Sequence, residues 1–364
     1  MALTLDALGW TPWFADAFAP YRAPGVEPAR VSLEHTHIYR VITPDGERLA
    51  RVSGRLRHAA TARADFPAVG DWVVLEPPPS GGDARDTARI RAVLPRASRF
   101  SRRAAGNPTE EQVVAANIDV VFLVSGLDGD FNPRRIERYL LTAWDSGATP
   151  VIVLNKADLV EDAAPFIRDV EAIAQRIPVV AVSAKQPETM ASVRAHLGAG
   201  RTGALLGSSG VGKSSIANAL IGEAVLRTGE VRDSDSRGRH TTKGRQLLLL
   251  PGGGILIDTP GMRELQLWDT GESLAGTFSD IDALAEQCRF RDCRHASEPG
   301  CAVLAAAKDG TLSEMRLASF RKLQEEQAFQ STQQDERARL EVKRQGKIGA
   351  KALQKRLKEK DHRP

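Results

Sequence analysis

The chain changes its hydrophobic rhythm twice. From Arg30 to about Arg99, apolar and polar residues alternate in short runs: VSLEHTHIYRVI, RLARVSG, DWVVLE and ARIRAVL. Turn-forming stretches such as Pro44-Asp45-Gly46 and the Pro/Ser/Gly run from Pro77 to Gly82 separate them. Alternation with a period of two reads as half-buried strands. About five short strands in roughly 70 residues predict a small OB-type barrel, and an SH3-like barrel fits the pattern nearly as well. The first 29 residues, with Trp10, Pro12, Trp13 and Pro20, show no period and read as an N-terminal extension.

After a basic connector, SRFSRRAAG, the apolar runs become continuous: IDVVFLVSGL, PVIVLNKADL, PVVAVSAK and GALL. Continuous runs are strands covered on both faces. NPRRIERYLLTAWDSG is a helix with Asn132 as N-cap, Pro133 in its first turn and Gly147 at its end. QLLLLPGGGILIDTPG reads as a β-hairpin. Strands alternating with helices predict a mainly parallel sheet. From about residue 271 the pattern is helical. The expected division is 1–29, 30–100, 101–270, 271–330 and a tail, 331–364.

Composition narrows this picture. The chain has 364 residues, is 42% hydrophobic and carries a formal charge of only +4. It shows no apolar run of membrane-spanning length and no basic start followed by an apolar stretch, so no membrane partner and a cytoplasmic location are expected. Charge is concentrated in the tail, where Lys343 to Arg363 hold nine basic residues against Glu359 and Asp361. A basic end favours a polyanion. All three cysteines fall between residues 288 and 301, which in a reducing compartment reads as metal binding.

GSSGVGKS fits G-x-x-x-x-G-K-S, with Gly207, Ser208, Ser209, Gly210, Val211, Gly212, Lys213 and Ser214, followed by Ser215. Such a loop turns backbone N–H groups toward a β-phosphate, its lysine reaches the β- and γ-phosphates, and its hydroxyl ligates Mg²⁺. Asn155-Lys156-Ala157-Asp158 chooses the base. A carboxylate at Asp158 accepts from guanine N1–H and the exocyclic amino group, whereas adenine would leave it unpaired. Asn155 bonds the opposite side of the base and braces the phosphate loop, and the stem of Lys156 covers the ring. Ser183-Ala184-Lys185 matches a second base contact through the Ala184 amide. Asp258-Thr259-Pro260-Gly261 places Asp258 on Mg²⁺ through water and the Gly261 amide near a γ-phosphate. The polar stretch between these motifs reads as a switch loop, with Thr241 or Thr242 as a second Mg²⁺ ligand.

The motif order is base reader, second reader, phosphate loop, switch loop and D-T-P-G. That is a circular permutation, which domains with neighbouring termini tolerate. The glutamine that follows D-x-x-G in Ras-like proteins is replaced by Met262, so slow turnover by the isolated chain is expected. His240 is the candidate to position water.

These residues resemble the RsgA (YjeQ) family over roughly residues 30–325. The likeness includes FPAVGDWV, RRAAGNPTEEQVVAANIDVVFLV, RHTT and the cysteine cluster. It implies an α/β fold in which a circularly permuted P-loop GTPase domain is flanked by an N-terminal OB-type barrel and a C-terminal helical zinc domain. It further implies GTP hydrolysis during late maturation of the small ribosomal subunit, with binding to its rRNA and stimulation by it. The expected partners are GTP, GDP and the subunit, with the chain as a monomer. Cys288, Cys293, His295 and Cys301 form a Cys₃His set, the donor set of a closed structural zinc site. His35, His37, Tyr39, Arg40, Arg55, Arg57, His58, Arg63, Arg102 and Arg103 are candidates for phosphate contact. Two other readings use the same residues: an RNA-binding checkpoint with GTP as a clamp, and an ATPase with a chance N-K-A-D.

Overall fold

A computed structural model describes residues 3–35, 38–77, 87–104, 107–129, 131–174, 176–222, 245–258, 278–314, 316–318, 320, 321 and 324. The chain divides into two compact units, residues 1–102 with 111–279, and residues 103–110 with 280–364.

In the first unit, five strands form a barrel: β1 (Glu27–His35), β2 (Ile38–Thr43), β3 (Gly46–Val52), β4 (Trp72–Glu76) and β5 (Ala88–Val93). They are ordered β1-β2-β3-β5-β4, and β4 closes back on β1. β3 and β5 run parallel while the other pairs are antiparallel, an OB-like arrangement. Strand order, which alternation does not encode, thus separates the OB reading from the SH3-like one. VSLEHTHIYRVI, read above as one strand, is two. β1 turns back on β2 with His35 opposite Ile38 and Glu34 opposite Tyr39. Both arms present apolar residues to the same core, including Val31, Tyr39 and Val41, and the run Glu34-His35-Thr36-His37 between them carries no usual turn residue. A short helix, α1 (Pro12–Phe18), lies in the N-terminal segment, and another, α2 (Gly54–Ala59), follows β3.

The N-terminal segment has no period because it packs by individual aromatic anchors. Leu8, Phe14 and Phe18 are buried with Trp72, and the ring of Trp10 meets that of Trp72 edge-on at 4.7 Å. The basic connector is also a strand. β6 (Arg99–Ala104) pairs with β7 (Asn107–Ala116) in a two-stranded ribbon.

The α/β part contains β8 (Val120–Gly126), α3 (Pro133–Ser146), β9 (Thr149–Asn155), α4 (Ala164–Ile173), β10 (Val179–Ala181), α5 (Ala191–Arg194), β11 (Thr202–Leu206), α6 (Lys213–Ile221), β12 (Gln246–Leu249) and β13 (Ile255–Asp258). The order is β10-β9-β8-β11-β13-β12, parallel except for β12. Val121, Leu123, Ile152 and Leu154 pack on one face with Ile136 and Leu140 of α3. Val120, Phe122, Val151 and Val153 pack on the other with Ile216 and Leu220 of α6. Burial on both faces is why these strands read as unbroken apolar runs. α3 begins at Asn132, whose side chain accepts from the Arg135 N–H, and ends at Gly147 with φ 82°.

Arg30 ties barrel to sheet. It is 1% exposed and donates to the Gly70, Leu8 and Asn117 carbonyls and to Thr202 Oγ1. Burial lowers its pKa to about 10, against the pull of Asp119 and Asp71, so it stays charged at neutral pH.

The FPAVGDWV stretch is explained by Asp71, fully buried against Arg96 with contacts of 2.8 and 2.7 Å. Burial pushes the Asp71 carboxyl up, and hydrogen bonding to Arg96 pulls it back. Arg96→Met is expected to cost about 3–5 kcal/mol, because it strands a buried carboxylate. A group whose folded pKa is raised destabilises progressively as pH climbs through that value. The deficit should therefore be smallest in acid and grow toward neutral pH. Urea unfolding of the full chain at several pH values checks both size and sign.

The second unit contains α7 (Ser279–Ala285), the cysteine segment and α8 (Ala302–Asp309). Arg316 holds Asp280 through two contacts, of 2.6 and 2.7 Å. No helix among the described residues is long and apolar enough to cross a membrane.

Candidate functional site

The parallel strands deliver the sequence motifs to one edge of the sheet. β9 ends in Asn155, β10 leads to Ser183, β11 leads into the 207–214 loop and β13 ends in Asp258. The three motifs read as base contacts and phosphate loop meet at Asn155. Its Nδ2 donates to the Val211 carbonyl at 2.8 Å, and its Oδ1 accepts from the Ala184 N–H at 3.1 Å. This side chain is 2% exposed. Gly212 has φ +94°, and a Cβ there would lie 2.2 Å from Asn155 Nδ2, so the close approach requires glycine. Asn155→Ala removes one acceptor and one donor from a buried junction. It is expected to cost about 2–4 kcal/mol in stability and to weaken nucleotide binding at least tenfold, as checked by urea unfolding and nucleotide titration.

Asp158 is oriented from two sides. Ser183 Oγ donates to Oδ1 at 2.7 Å, and Lys185 Nζ lies 3.0 Å from Oδ2. The Ser183 hydrogen bond, then that of Lys185, holds this carboxyl below the ordinary range, so it is ionised at neutral pH. Lys156 adopts a left-handed backbone with φ 65°, and its ammonium contacts Asp128 Oδ2 at 2.5 Å.

In the 207–214 loop, Lys213 begins α6 and turns its ammonium back onto the Gly207 and Ser208 carbonyls at 2.7 and 2.5 Å. A Cβ at Gly207 would meet the Val124 carbonyl at 2.3 Å. Ser209 and Gly210 are exposed at the tip, while Ser214 and Ser215 are half-buried in the first turn of α6. The motif reading did not include Asp128, Arg135 or Tyr139. Arg135 Nη1 donates to Ser208 Oγ at 2.6 Å, and the Tyr139 hydroxyl lies 3.4 Å from the same atom. No motif marks these residues. Their place beside the 207–214 loop depends on β8 lying next to β11, which the sequence does not show. His240, Thr241, Thr242, Gly261 and Met262 lie outside the described residues, as does the tail after 324.

In the second unit the ligand atoms of Cys288, Cys293, His295 and Cys301 all lie within 4.8 Å of one another. Cys288 Sγ is 3.8 Å from Cys301 Sγ and 3.6 Å from His295 Nδ1, and His295 Nδ1 is 3.4 Å from Cys301 Sγ. A tetrahedron with metal–sulfur bonds of about 2.3 Å and a metal–nitrogen bond of about 2.0 Å has edges of about 3.8 and 3.5 Å, which these separations match. His295 sits at φ 56°, and Arg321 donates to its carbonyl. Glu298 accepts from the Arg294, Ala296 and Ser297 N–H groups. Backbone hydrogen bonds, its own N–H first, lower the Glu298 pKa to about 2 from an ordinary 4.5. Its support of the turn is therefore complete above pH 4.5 and is lost as pH falls through 2.

Among the basic-surface candidates, Arg55, Arg57, His58 and Arg63 are exposed on and after α2, and His35 is exposed at the end of β1. Tyr39 is 6% exposed and belongs to the barrel core, which removes it from that surface. His37 lies outside the described residues.

The RsgA GTPase family model matches residues 93–268. The chain is 50% identical over 338 residues to the small ribosomal subunit biogenesis GTPase RsgA of Opitutus terrae, covering 92% of each chain. The crystal structure of YjeQ from Thermotoga maritima matches with a TM-score of 0.62 at 28% identity, over 83% of this chain and 99% of that one. YloQ, a circularly permuted GTPase, matches in fold with a TM-score of 0.61 at 23% identity, over 83% of this chain and 95% of that one.

Proposed function

The chain belongs to the RsgA GTPase family, and from that membership we propose that it hydrolyses GTP as a late maturation factor of the small ribosomal subunit. In this reading it binds the subunit's rRNA and leaves on hydrolysis. The observation that carries the nucleotide reading is the Asn155 junction, which holds the N-K-A-D, S-A-K and phosphate-loop segments together.

The roles follow from that arrangement. Asp158 accepts from guanine N1–H and the exocyclic amine, the Ala184 N–H faces the base oxygen, and the Lys156 stem covers the ring. Backbone N–H groups from Ser209 to Ser214 surround the β-phosphate. Lys213 exchanges its bonds to the Gly207 and Ser208 carbonyls for phosphate oxygens. Magnesium bound with the nucleotide would be held by Ser214, by Thr241 or Thr242 and, through water, by Asp258, and it supplies charge neutralisation at the phosphates. In this reading the Gly261 N–H reads the γ-phosphate, and His240 positions the attacking water in the subunit-bound state. Zinc would be held by Cys288, Cys293, His295 and Cys301, where it would supply structure and no catalysis.

The barrel, the arginines around α2 and the basic tail offer the rRNA-facing charge, and the chain acts as a cytoplasmic monomer. The functional division follows the sequence boundaries at 30–100, 101–270 and 271–330. The test is phosphate release with and without purified small subunits. The expected result is slow turnover alone and at least a tenfold rise with small but not large subunits. A flat rate would overturn the enzymatic reading in favour of a GTP-clamped checkpoint. Full stimulation of His240→Ala would remove His240 from catalysis.

A further inference from the structure

The strand order places β8 between β9, which carries the base-reading motif, and β11, which carries the phosphate loop. The connection from β8 into α3 therefore emerges between the two ends of the nucleotide cleft, although it contains no recognised nucleotide motif. Two of its side chains reach in opposite directions. Asp128, two residues past the end of β8, meets Lys156 Nζ at 2.5 Å. Arg135, in the first turn of α3, donates to Ser208 Oγ at 2.6 Å, and Tyr139, one turn further on, lies 3.4 Å from the same oxygen. We propose that this connection presets both ends of the cleft, with Asp128 fixing Lys156 for the base and Arg135, supported by Tyr139, fixing Ser208 for the phosphates.

The reasoning at the phosphate end starts from Lys213. Its ammonium now bonds the Gly207 and Ser208 carbonyls, which shapes the first half of the loop. A bound diphosphate takes that ammonium and so removes the loop's internal brace. The Arg135 bond engages the Ser208 side chain instead of its carbonyl, so it persists when Lys213 leaves. Charge-assisted hydrogen bonds of this length are the stronger class. A long side chain on a helix packed into the sheet loses little further freedom when the nucleotide arrives, and binding to a preset loop avoids an ordering cost.

At the base end, Lys156 occupies a left-handed backbone that non-glycine residues rarely adopt, which aims its side chain. The Asp128 contact fixes the far end of that stem, leaving its methylenes as a prepared surface for a purine. Asp128 and Arg135 are positioning residues here, because both act through motif residues.

This inference rests on the guanine-nucleotide reading above, and the experiment separates the two. Fluorescent GDP is titrated into the full-length zinc-loaded protein, its Asp158→Asn variant, and Arg135→Ala, Ser208→Ala, the double variant, Arg135→Lys and Asp128→Asn. Absence of GDP binding by the parent protein would overturn the nucleotide reading itself. With parent binding intact, Arg135→Ala and Ser208→Ala are each expected to weaken GDP about tenfold, the loss of one charge-assisted bond. The double variant should lose well short of the product of the two single losses, since both remove the Arg135–Ser208 bond. Arg135→Lys should recover part of the loss. Asp128→Asn should weaken GDP about threefold, and its effect should add in full to that of Arg135→Ala. In subunit-stimulated turnover, Arg135→Ala should raise KM and leave kcat unchanged, as expected for uniform binding of ground and transition states.

Thermal melting is recorded for each variant, and only variants melting within about 1 °C of the parent are scored. Unchanged GDP affinity in Arg135→Ala, additive losses with Ser208→Ala, or a fall in kcat at constant KM would each overturn the proposal.

Discussion

Asp158→Asn is expected to lower GDP and GTP affinity by about 100-fold or more and to create binding of xanthine nucleotides. Guanine offers two donors, N1–H and the exocyclic amine, to one ionised carboxylate. Hydrogen bonds to a charged group contribute about 1.5–3 kcal/mol each, so weakening two of them amounts to two or more powers of ten. An asparagine keeps one acceptor and gains a donor, and xanthine presents a carbonyl where guanine has its amine. The surroundings favour a clean exchange. Ser183 Oγ donates to Oδ1 and could donate equally to an amide oxygen. Lys185, at 3.0 Å from Oδ2, is itself exposed and returns to water when the charge is removed. The lowered Asp158 pKa gives a companion result for the parent protein, because the ionised form is retained below the ordinary carboxylate value of 3.8. Guanine selectivity should therefore stay flat through the neutral range and fail only in strong acid. Competition titration with GDP, XDP and ADP reads all of this. Equal GDP affinity in parent and variant would remove Asp158 from base recognition, and strong competition by ADP would restore the ATPase reading.

Removal of zinc should have the largest effect on stability. Structural zinc binding is worth about 10–16 kcal/mol in small finger-like sites, more than a loop-rich segment of this size gains from burial. Chelation, or Cys301→Ser, is expected to unfold residues 288–301 while leaving nucleotide binding in the first unit intact. The serine substitution is informative because Cys301 has two roles. Its Sγ belongs to the Cys₃His cluster, and it also accepts the Leu304 N–H at the start of α8. Serine is a good N-cap and a poor zinc ligand, so it preserves the helix start while removing the metal bond. Zinc content should fall from one per chain to none, with trypsin cutting at Arg289, Arg291 and Arg294. A zinc-free protein with undiminished protease resistance at those arginines would show that the segment folds without metal.

Some of this molecule was legible from local signals alone. Asn132, Pro133 and Gly147 bound α3 because capping acts within one turn. The apolar runs of β8, β9 and β11 declared a sheet covered on both faces because each residue's burial depends on its own side chain. The Cys₃His set was legible because its four residues span only 288–301, and the structure brings their ligand atoms within 4.8 Å of one another. The segments proposed to read guanine and hold phosphate were legible as motifs, and their reversed order did no harm, since parallel strands bring their ends to one edge whatever the order of connection.

Other features had no local signal. The reversal between β1 and β2 falls at the polar run Glu34-His35-Thr36-His37, which holds no Gly, Pro, Asn or Asp to mark a turn, and only the pairing of Glu34 with Tyr39 exposes it. SRFSRRAAG looks like a linker because Phe100 is its one large apolar residue among arginines, and the apolar residues that pair with it, such as Val113 and Val114, lie in β7. The N-terminal segment docks through scattered aromatics that leave no period. Arg30 finds Thr202 across 172 positions, and Asn155 finds Val211 across 56.

The sequence by itself determined the element types, the metal donor set and the nucleotide motifs, because those follow from side chains within a turn or two of one another. Only the tertiary structure decided the barrel's strand order, the burial of Tyr39 and the contacts of Asp128 with Lys156 and of Arg135 with Ser208. Each of those depends on which strand lies beside which, and the free energy that selects neighbours is spread over the whole core instead of residing in any short stretch of chain.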